Sequence, residues 1–304
     1  MKLSIITKHL LRLFGTSALA GALILTGCGK SDSGAKKAAT VSIQNIGSDT
    51  MVNIAQEWAE AYAKVEPGVS VEVSGGGSGV GVAALLNGTC DIANSSRKLE
   101  EEEEKKATAK YNGQHPKEWH VGYDALAIFV HPSNPLTEIS VEELSDIFRE
   151  GGKVAKWSDL GATLPGGDAE IVRVSRQNNS GTYHYFREAV LGKKADFKAG
   201  SRDMNGSKDV VDLISTTPTG IGYSGIGYKT DKVKVLKVSK KKGEPSVEPT
   251  IATTLDKTYP IARPMFMYTP PGVGTHVEKY IQWILAPEGQ KIVEHAGYIP
   301  LVKQ

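Results

Sequence analysis

The residues of this sequence that are best suited to chemistry lie in four short turns rich in serine, threonine and glycine. Each turn follows a β-rich run and is predicted to lead into a helix. The four turns span residues 47–50, 75–79, 95–97 and 180–182. Such a turn offers backbone N–H groups at a helix start, a hydroxyl donor and little steric bulk, which together suit a small anion. Each turn taken alone is also explained as an ordinary helix cap, because serine and threonine are common N-cap residues.

Two arginines accompany these turns. Arg176 lies four residues before Ser180, at the end of a predicted strand over 171–175, and Arg97 ends the third turn. A guanidinium group donates from a planar fork and can hold two oxygens of one oxyanion. The four turns and the two arginines therefore predict a binding site for a small oxyanion.

Alternating β-rich and helical patterns indicate the elements that must position the turns. The β-rich runs cover residues 41–46, 69–73, 91–94, 121–130, 171–175, 221–223, 233–238 and 261–268. Helical spacing of apolar residues, or a capping pattern, marks residues 50–64, 140–148, 183–191, 276–285 and 288–296. This alternation favours an α/β fold. In open α/β sheets, ligands bind beyond the carboxyl ends of the strands, which is where the four turns fall.

The composition limits the class of protein. The chain has 304 residues, of which 40% are hydrophobic and 23% are charged, so a packed core is expected and wholesale disorder is not. The net charge of +2 is too balanced for a nucleic-acid binder held by a broad basic face. Two cysteines, Cys28 and Cys90, cannot supply a disulfide framework. We expect Cys90 to be a small buried residue without an activated thiolate.

The first residues have the layout of a secretory signal and are excluded from the fold. A basic start precedes an apolar stretch over 13–25 that is short for a membrane span. Residues 25–28, Leu-Thr-Gly-Cys, resemble the lipobox of bacterial lipoproteins, in which cleavage before the cysteine is followed by its acylation. The resemblance implies a signal peptide over 1–27, lipidation of Cys28 and a flexible tether up to residue 39. The alternative is an ordinary secretory signal with an incidental cysteine.

Motifs for other kinds of chemistry are weak or missing in the sequence. There is no G-x-x-x-x-G-K-[ST] motif for a P-loop and no G-x-S-x-G nucleophile elbow. Residues 79–84 match a loose G-x-G-x-x-A dinucleotide motif, but the position about twenty residues later carries a glutamate-rich run, typical of a solvated helix face, instead of one acid at a strand end. The seven histidines lack zinc-site spacing. We therefore expect no metal, no cofactor and no enzymatic activity.

Together these motifs resemble one family, the phosphate-binding proteins of bacterial phosphate ABC transporters, which are periplasmic-type substrate-binding proteins. The resemblance covers essentially the whole mature chain. It rests on Gly-Ser-Asp-Thr at 47–50, Gly-Gly-Gly-Ser-Gly at 75–79, Asp-Ile-Ala-Asn-Ser-Ser-Arg at 91–97 and Arg-Gln-Asn-Asn-Ser-Gly-Thr at 176–182. The ending over 289–301 is also similar. The most specific element of the resemblance is Arg176, which lies four residues before Ser-Gly-Thr.

The resemblance implies a two-lobed periplasmic-binding-protein fold, in which two doubly wound α/β domains are joined by hinge crossings near 130–134 and 256–261. Lobe I is expected over 40–130 plus 259–304, and lobe II over 131–258. The implied partners of this extracytoplasmic protein are inorganic phosphate, an ABC transporter permease and the membrane through the lipid anchor only; we expect a monomer and no nucleic acid. The implied phosphate-binding residues are Ser48, Asp49, Thr50, Ser78, Ser96, Arg97, Arg176, Ser180, Gly181 and Thr182.

One position departs from the family pattern. Ser96 stands where the best-known members have an aspartate that accepts the proton of bound phosphate. We hypothesise that the Asp49 carboxylate takes this role, because sulfate is unprotonated at neutral pH and would leave that acceptor unpaired and facing an anion. The alternative is that Asp49 only caps the helix that follows it.

Other functions stay open at this stage. The same fold could bind another oxyanion, such as sulfate or molybdate. A dinucleotide-dependent enzyme and a non-transport surface or signalling protein are the alternatives from other classes.

Overall fold

The structure, a computed structural model, describes residues 41–301. The predicted signal peptide, Cys28 and the whole of the tether lie outside these residues. Within residues 41–301, no helix has both the length and the apolar character needed to cross a bilayer.

Strands and helices alternate along most of the described chain, as an α/β fold requires. The strands are β1 (Val41–Gly47), β2 (Val69–Ser74), β3 (Ile92–Ser95), β4 (Lys117–Val130), β5 (Glu138–Ser140), β6 (Val172–Arg176), β7 (Arg202–Met204), β8 (Gly220–Gly225), β9 (Lys234–Val235), β10 (Lys237–Ser239) and β11 (Ala262–Thr269). The α-helices are α1 (Val52–Val65), α2 (Ser78–Asn87), α3 (Glu101–Lys110), α4 (Val141–Phe148), α5 (Gly181–Phe186), α6 (Ser207–Ser215), α7 (Ile251–Leu255), α8 (Thr275–Leu285) and α9 (Pro287–His295). A 3₁₀ turn over Asp49–Met51 precedes α1, and a π-helical turn over Arg187–Leu191 extends α5.

The main sheet combines two parallel groups of strands with an antiparallel centre. Its order is β2-β1-β3-β11-β4-β8-β6-β7, and β9 also pairs with β4. β1 runs parallel to β2 and β3 in one half, and β6 runs parallel to β7 and β8 in the other. β11 is antiparallel to β3 and β4, and β4 is antiparallel to β8.

β4 is the strand that connects the two halves of the sheet. Its residues up to Ala125 pair with β11, and its residues from Leu126 onward pair with β8. This change of partner, between Ala125 and Leu126, falls earlier in the chain than the first crossing between lobes, which is expected at 130–134. Ala262, the first residue of β11, pairs with Ala125, so the returning chain passes beside the same point.

Each half of the sheet packs an apolar core against its helices. In the half that contains β1, the core includes Trp58 of α1 and Tyr280 of α8, both fully buried. In the other half, Phe186 of α5 stacks on Tyr223 of β8 with ring centroids 3.8 Å apart, and Phe148 of α4 packs edge-on against both rings. Burial of these faces explains the helical spacing of apolar residues that the sequence shows.

Local signals predicted many of these elements, and several segments differ from expectation. Ser140 and Glu143 form the predicted capping box at the start of α4. Cys90 is buried as expected, and burial raises the pKa of its thiol to about 12, so no activated thiolate forms. The run 233–238 is divided into β9 and β10, because the first part pairs with β4 and the second with β5. α6 and α7 have no counterpart among the predicted helices, and β5 and β7 have none among the predicted strands.

α2 packs so closely on β1 that a side chain at Gly81 does not fit. A Cβ atom at Gly81 would lie 2.7 Å from the carbonyl oxygen of Ile46 and 2.8 Å from the Cα of Gly47. Since these are backbone atoms, relief requires that the helix or the strand shift. We predict that Gly81→Ala lowers the free energy of unfolding by about 1–3 kcal/mol, measured by urea unfolding followed by circular dichroism.

Val80→Ala is the matched control for this substitution, because Val80 lies on the same helix and is exposed. We expect that variant to change the free energy of unfolding by less than about 0.5 kcal/mol. A wild-type unfolding curve for Gly81→Ala would contradict the close packing of α2 on β1.

Candidate functional site

Three buried serine hydroxyls meet beyond the carboxyl ends of β1 and β3. Ser48 Oγ donates to Ser96 Oγ at 3.0 Å, and the hydroxyl oxygens of Ser78 and Ser96 lie 3.4 Å apart. The backbone N–H of Ser96 also donates to Ser78 Oγ at 3.1 Å. All three residues are at most 1% exposed. The first three turns therefore come together, as the sequence predicts.

The fourth turn, at the start of α5, lies directly against these serines. A Cβ atom at Gly181 would lie 2.2 Å from Ser78 Oγ and 2.7 Å from Ser96 Oγ, so glycine is needed for this approach. Ser180 caps α5, because its Oγ accepts two backbone N–H groups of the helix at 3.1 and 3.4 Å. A hydroxyl that accepts in this way can still donate its hydrogen, so capping and ligand binding are compatible.

A buried ion pair joins the first turn to the end of β6. Arg176 is 1% exposed, and its Nη2 donates to Asp49 Oδ2 at 2.9 Å. The same guanidinium donates to Ser207 Oγ at 2.9 Å and to the carbonyl oxygen of Asn205 at 2.7 Å. Burial lowers the pKa of Arg176, and the Asp49 charge opposes that shift. These contacts fix the arginine between the first turn and residues 205–207.

Asp49 links three segments of the site. Its Oδ1 accepts the backbone N–H of Gly76 at 2.9 Å, while its Oδ2 accepts from Arg176. Both partners lie outside the helix that follows Asp49, so the expectation that this carboxylate only caps that helix is wrong. Tyr228 donates to the carbonyl oxygen of Asp49 at 2.5 Å, and Tyr298 donates to the next carbonyl along the chain. Sequence reasoning missed both tyrosines, which fix the backbone of the first turn.

Arg97 does not join these residues, and its expected role is corrected here. Its Nη1 and Nη2 donate to the two carboxylate oxygens of Glu103 at 2.6 and 2.7 Å. Glu103 belongs to the glutamate-rich first turn of α3, where Glu101 and Glu102 pair with Lys105 on the helix surface as expected. Because α3 begins after three intervening residues, the third turn does not lead straight into a helix. The guanidinium of Arg97 therefore pairs with the carboxylate of Glu103.

A second buried ion pair, which the sequence analysis missed, lies beneath the threonine hydroxyls. Arg263 Nε and Nη2 donate to Asp124 Oδ2 at 3.1 and 2.9 Å, and neither residue is more than 1% exposed. Burial raises the pKa of Asp124, and Arg263 opposes that shift. Thr50 Oγ1 and Thr182 Oγ1 lie 2.9 Å apart beside this pair. The signal that could have revealed the pair is one charged residue inside each of two apolar β-rich runs, 121–130 and 261–268.

The loose dinucleotide motif at 79–84 lies in α2, where its glycines are already in contact with other backbone. The N–H of Gly79 donates to the carbonyl oxygen of Asn179 at 3.0 Å, and Gly81 packs on β1. Neither glycine offers the open backbone approach that a pyrophosphate needs. The geometry thus disfavours a dinucleotide site.

Comparison with known proteins places the chain in a family. A family model described as a PBP superfamily domain matches residues 33–288. A phosphate-binding protein PstS from Pseudomonas aeruginosa is 36% identical over 278 residues, which cover 88% of this chain and 85% of the relative. The chain belongs to the PBP superfamily. Another relative, the phosphate-binding protein PstS from Staphylococcus saprophyticus, is 30% identical over 301 residues, covering 96% of this chain and 91% of the relative.

Solved structures resemble this PBP-superfamily chain as well. A putative phosphate ABC transporter substrate-binding protein from Clostridium perfringens, solved with bound phosphate, matches with a TM-score of 0.77 and 30% identity, covering 86% of this chain and all of the other. An ABC-type phosphate transport receptor from Vibrio cholerae matches with a TM-score of 0.66 and 26% identity, covering 85% of this chain. The expected family and the expected fold are both confirmed.

The Arg97–Glu103 pair predicts a pH dependence of stability. Burial raises the pKa of Glu103, but hydrogen bonds from Arg97 and from the N–H of Glu100 outweigh it and lower the pKa overall. A carboxyl with a lower pKa in the folded state adds stability above its unfolded pKa, and this stability is lost as the pH falls through the folded pKa. We predict that Glu103→Gln lowers the free energy of unfolding at pH 7 by about 1–3 kcal/mol.

Urea unfolding in steps from pH 7 to about pH 3 measures this effect, because the difference from wild type must shrink as the carboxyl of Glu103 is protonated. Glu101→Gln, an exposed position on the same helix, is the control and should change stability little at any pH. If Glu103→Gln and wild type differ in their free energy of unfolding by the same amount at every pH, the carboxyl of Glu103 does not have a lowered pKa in the folded state.

Proposed function

We propose that this chain binds inorganic phosphate and delivers it to the permease of an ABC transporter. The observation that carries the proposal is the convergence of four hydroxyl- and glycine-rich turns, the first of which pairs with a buried arginine, in a chain that shares its fold with a phosphate-bound protein. Arg97 is left out of the proposed site, because its guanidinium bonds Glu103 and the carbonyl oxygen of Lys98 and none of the other three turns. The residues proposed to surround the ligand are Ser48, Asp49, Thr50, Ser78, Ser96, Arg176, Ser180, Gly181 and Thr182.

The chemistry of these residues suits binding of an oxyanion without covalent change. Serine and threonine hydroxyls supply neutral donors, and the charge of Arg176 is compensated by Asp49. A buried oxyanion is tolerable only where nearly every oxygen lone pair meets a donor, which a cluster of hydroxyls and backbone N–H groups provides. Capture and release of the ion is therefore the proposed activity, and the protein is proposed not to be an enzyme.

We propose that capture occurs by closure of two lobes around the ion. Lobe I comprises residues 40–130 and 259–304, and lobe II comprises residues 131–258. The change of partner along β4 after Ala125 supports a hinge in this strand. The lipobox-like sequence that ends at Cys28 supports a lipid anchor that holds the protein outside the cytoplasm. The protein is proposed to act as a monomer.

Titration calorimetry of residues 29–304, freed of ligand by unfolding and refolding, tests the function. We expect one phosphate per chain with a Kd of about 1 μM or tighter, which corresponds to about −8 kcal/mol or better, and we expect excess sulfate to leave this binding unchanged. No heat with phosphate from refolded protein would contradict the proposal. Binding that sulfate abolishes would keep the site and reassign its ligand.

Arg176 and Arg173 provide a matched pair of variants, because both lie on β6 and only Arg176 bonds a residue of the four turns, Asp49. Arg173 Nη2 donates to the carbonyl oxygen of Ala199 at 2.7 Å. We predict that Arg176→Met weakens phosphate binding at least about 30-fold, since it also leaves Asp49 without its ion-pair partner. Arg173→Met should change the Kd less than about twofold. Titration calorimetry measures the phosphate Kd of both variants, after their melting temperatures show that they are folded. An equal loss of phosphate affinity in both variants would refute a special role for Arg176.

The Asp49 carboxylate is proposed to select protonated phosphate over sulfate. Each of its oxygens accepts one hydrogen bond in the structure and has a further lone pair that could accept from a protonated ligand oxygen. We predict that Asp49→Asn lowers the ratio of the sulfate Kd to the phosphate Kd at least about tenfold. Competition calorimetry with both ions measures the ratio. Asp91→Asn, which removes a carboxylate bonded to the N–H of Gln44, is the control; an unchanged ratio in Asp49→Asn would exclude this mechanism.

A second oxyanion is the alternative ligand, and Ser96 is the observation that favours it. A neutral hydroxyl in place of a carboxylate suits an ion that carries no proton, such as sulfate or molybdate. Affinity for sulfate that persists as the pH rises would support this alternative.

A further inference from the structure

Arg263 and Asp124 lie face to face on the two central antiparallel strands, β11 and β4, and are partners in the strand register. Asp124 is fully buried and its Oδ1 accepts the backbone N–H of Ile226 at 3.1 Å, which fixes the carboxylate from a third segment. Arg263 is 1% exposed and is anchored on the other carboxylate oxygen through Nε and Nη2. The pair is therefore held in place independently of any ligand.

The Nη2 atom of Arg263 also contacts two threonines that come from distant parts of the chain. It lies 2.9 Å from Thr182 Oγ1 at the start of α5 and 3.2 Å from Thr50 Oγ1 in the turn after β1. Both threonines are fully buried, and their hydroxyl oxygens are 2.9 Å apart. One guanidinium nitrogen thus joins the two sides of the proposed ligand site.

The direction of these hydrogen bonds follows from the donors available. Nη2 carries two hydrogens; one points to the carboxylate of Asp124, and the other is shared between the two threonine oxygens. Because a guanidinium has no acceptor, neither hydroxyl can donate to Arg263. One hydroxyl hydrogen spans the contact between Thr50 and Thr182, and the hydrogen of the remaining hydroxyl must point to another group.

We infer that Arg263, held by Asp124, is a positioning residue that sets the direction of the Thr50–Thr182 hydroxyl pair, so that the pair presents one O–H donor to the bound oxyanion. The inference rests on the proposed function. It assigns Arg263 an effect on the ligand that passes through the threonines and does not require contact between the guanidinium and the ion. Its Nη1 is buried without a hydrogen-bond partner among the described residues, so direct contact at that atom is the competing arrangement.

A double-mutant cycle on phosphate affinity distinguishes the two arrangements. The variants are Arg263→Lys, which keeps a positive charge beside Asp124, Thr182→Val, which removes one hydroxyl at constant shape, and their combination. We expect each single change to raise the phosphate Kd about tenfold or more, and the combination to be no more than about threefold weaker than the weaker single variant. Fold-changes that multiply would overturn the inference, because Arg263 would then act without the threonines.

Ser78→Ala provides the matched control cycle, because the contacts of the Ser78 hydroxyl are with Ser96. Combined with Arg263→Lys, it should give fold-changes that multiply. Coupling of the same size in both cycles would mean that Arg263→Lys disturbs the whole site, and this would also overturn the inference. Wild-type protein that binds no phosphate would instead refute the proposed function, so the two failures are distinguishable.

A measurement on the wild-type protein covers the case in which Arg263→Lys does not fold. Proton NMR of the chain saturated with inorganic phosphate should show two exchange-protected hydroxyl protons from Thr50 and Thr182, of which only one is coupled to the phosphorus of the bound ion. Coupling of both protons, or of neither, would contradict a pair with one outward donor.

Discussion

The ion pair between Asp49 and Arg176 is the contact on which the arrangement of the site depends. It joins two residues that are 127 positions apart, and it brings the turn after β1 against the end of β6. Asp49 also accepts from Gly76, and Arg176 also donates to Ser207, so four segments meet at one buried pair of charges. Removal of either partner would leave the other charge buried without compensation, which is why such pairs constrain geometry strongly even where their net stabilisation is small.

Charge balance explains how such a site can accept an anion. Asp49 and Arg176 compensate each other, and so do Asp124 and Arg263. Donors without net charge therefore face the centre, namely the hydroxyls of Ser48, Ser78, Ser96, Thr50 and Thr182. Neutral donors brought together in this way favour an oxyanion without the desolvation that an uncompensated buried cation would require.

The sheet supplies the framework for these contacts. β4 and β11 are the two central strands of the main sheet, and β4 changes partner at the point where Ala125 meets Ala262. Asp124 and Arg263 lie one residue from this point, so the second ion pair is placed where the two halves of the sheet join. Close backbone packing at Gly81 and Gly181 then brings α2 and α5 against the hydroxyl groups.

The sequence alone determined the local features of this protein: the alternation of elements, the capping box at Ser140, the four turns and the place of Arg176 at the end of a strand. These follow from interactions within a few residues, such as side-chain periodicity and backbone capping. Only the tertiary structure decided that Arg97 turns to Glu103, that the run 233–238 changes partner, and that Arg263 reaches Thr50 and Thr182. For Arg263 the physical reason is that a buried charge takes the partner that strand pairing places beside it, here Asp124, which lies 139 residues away along the chain.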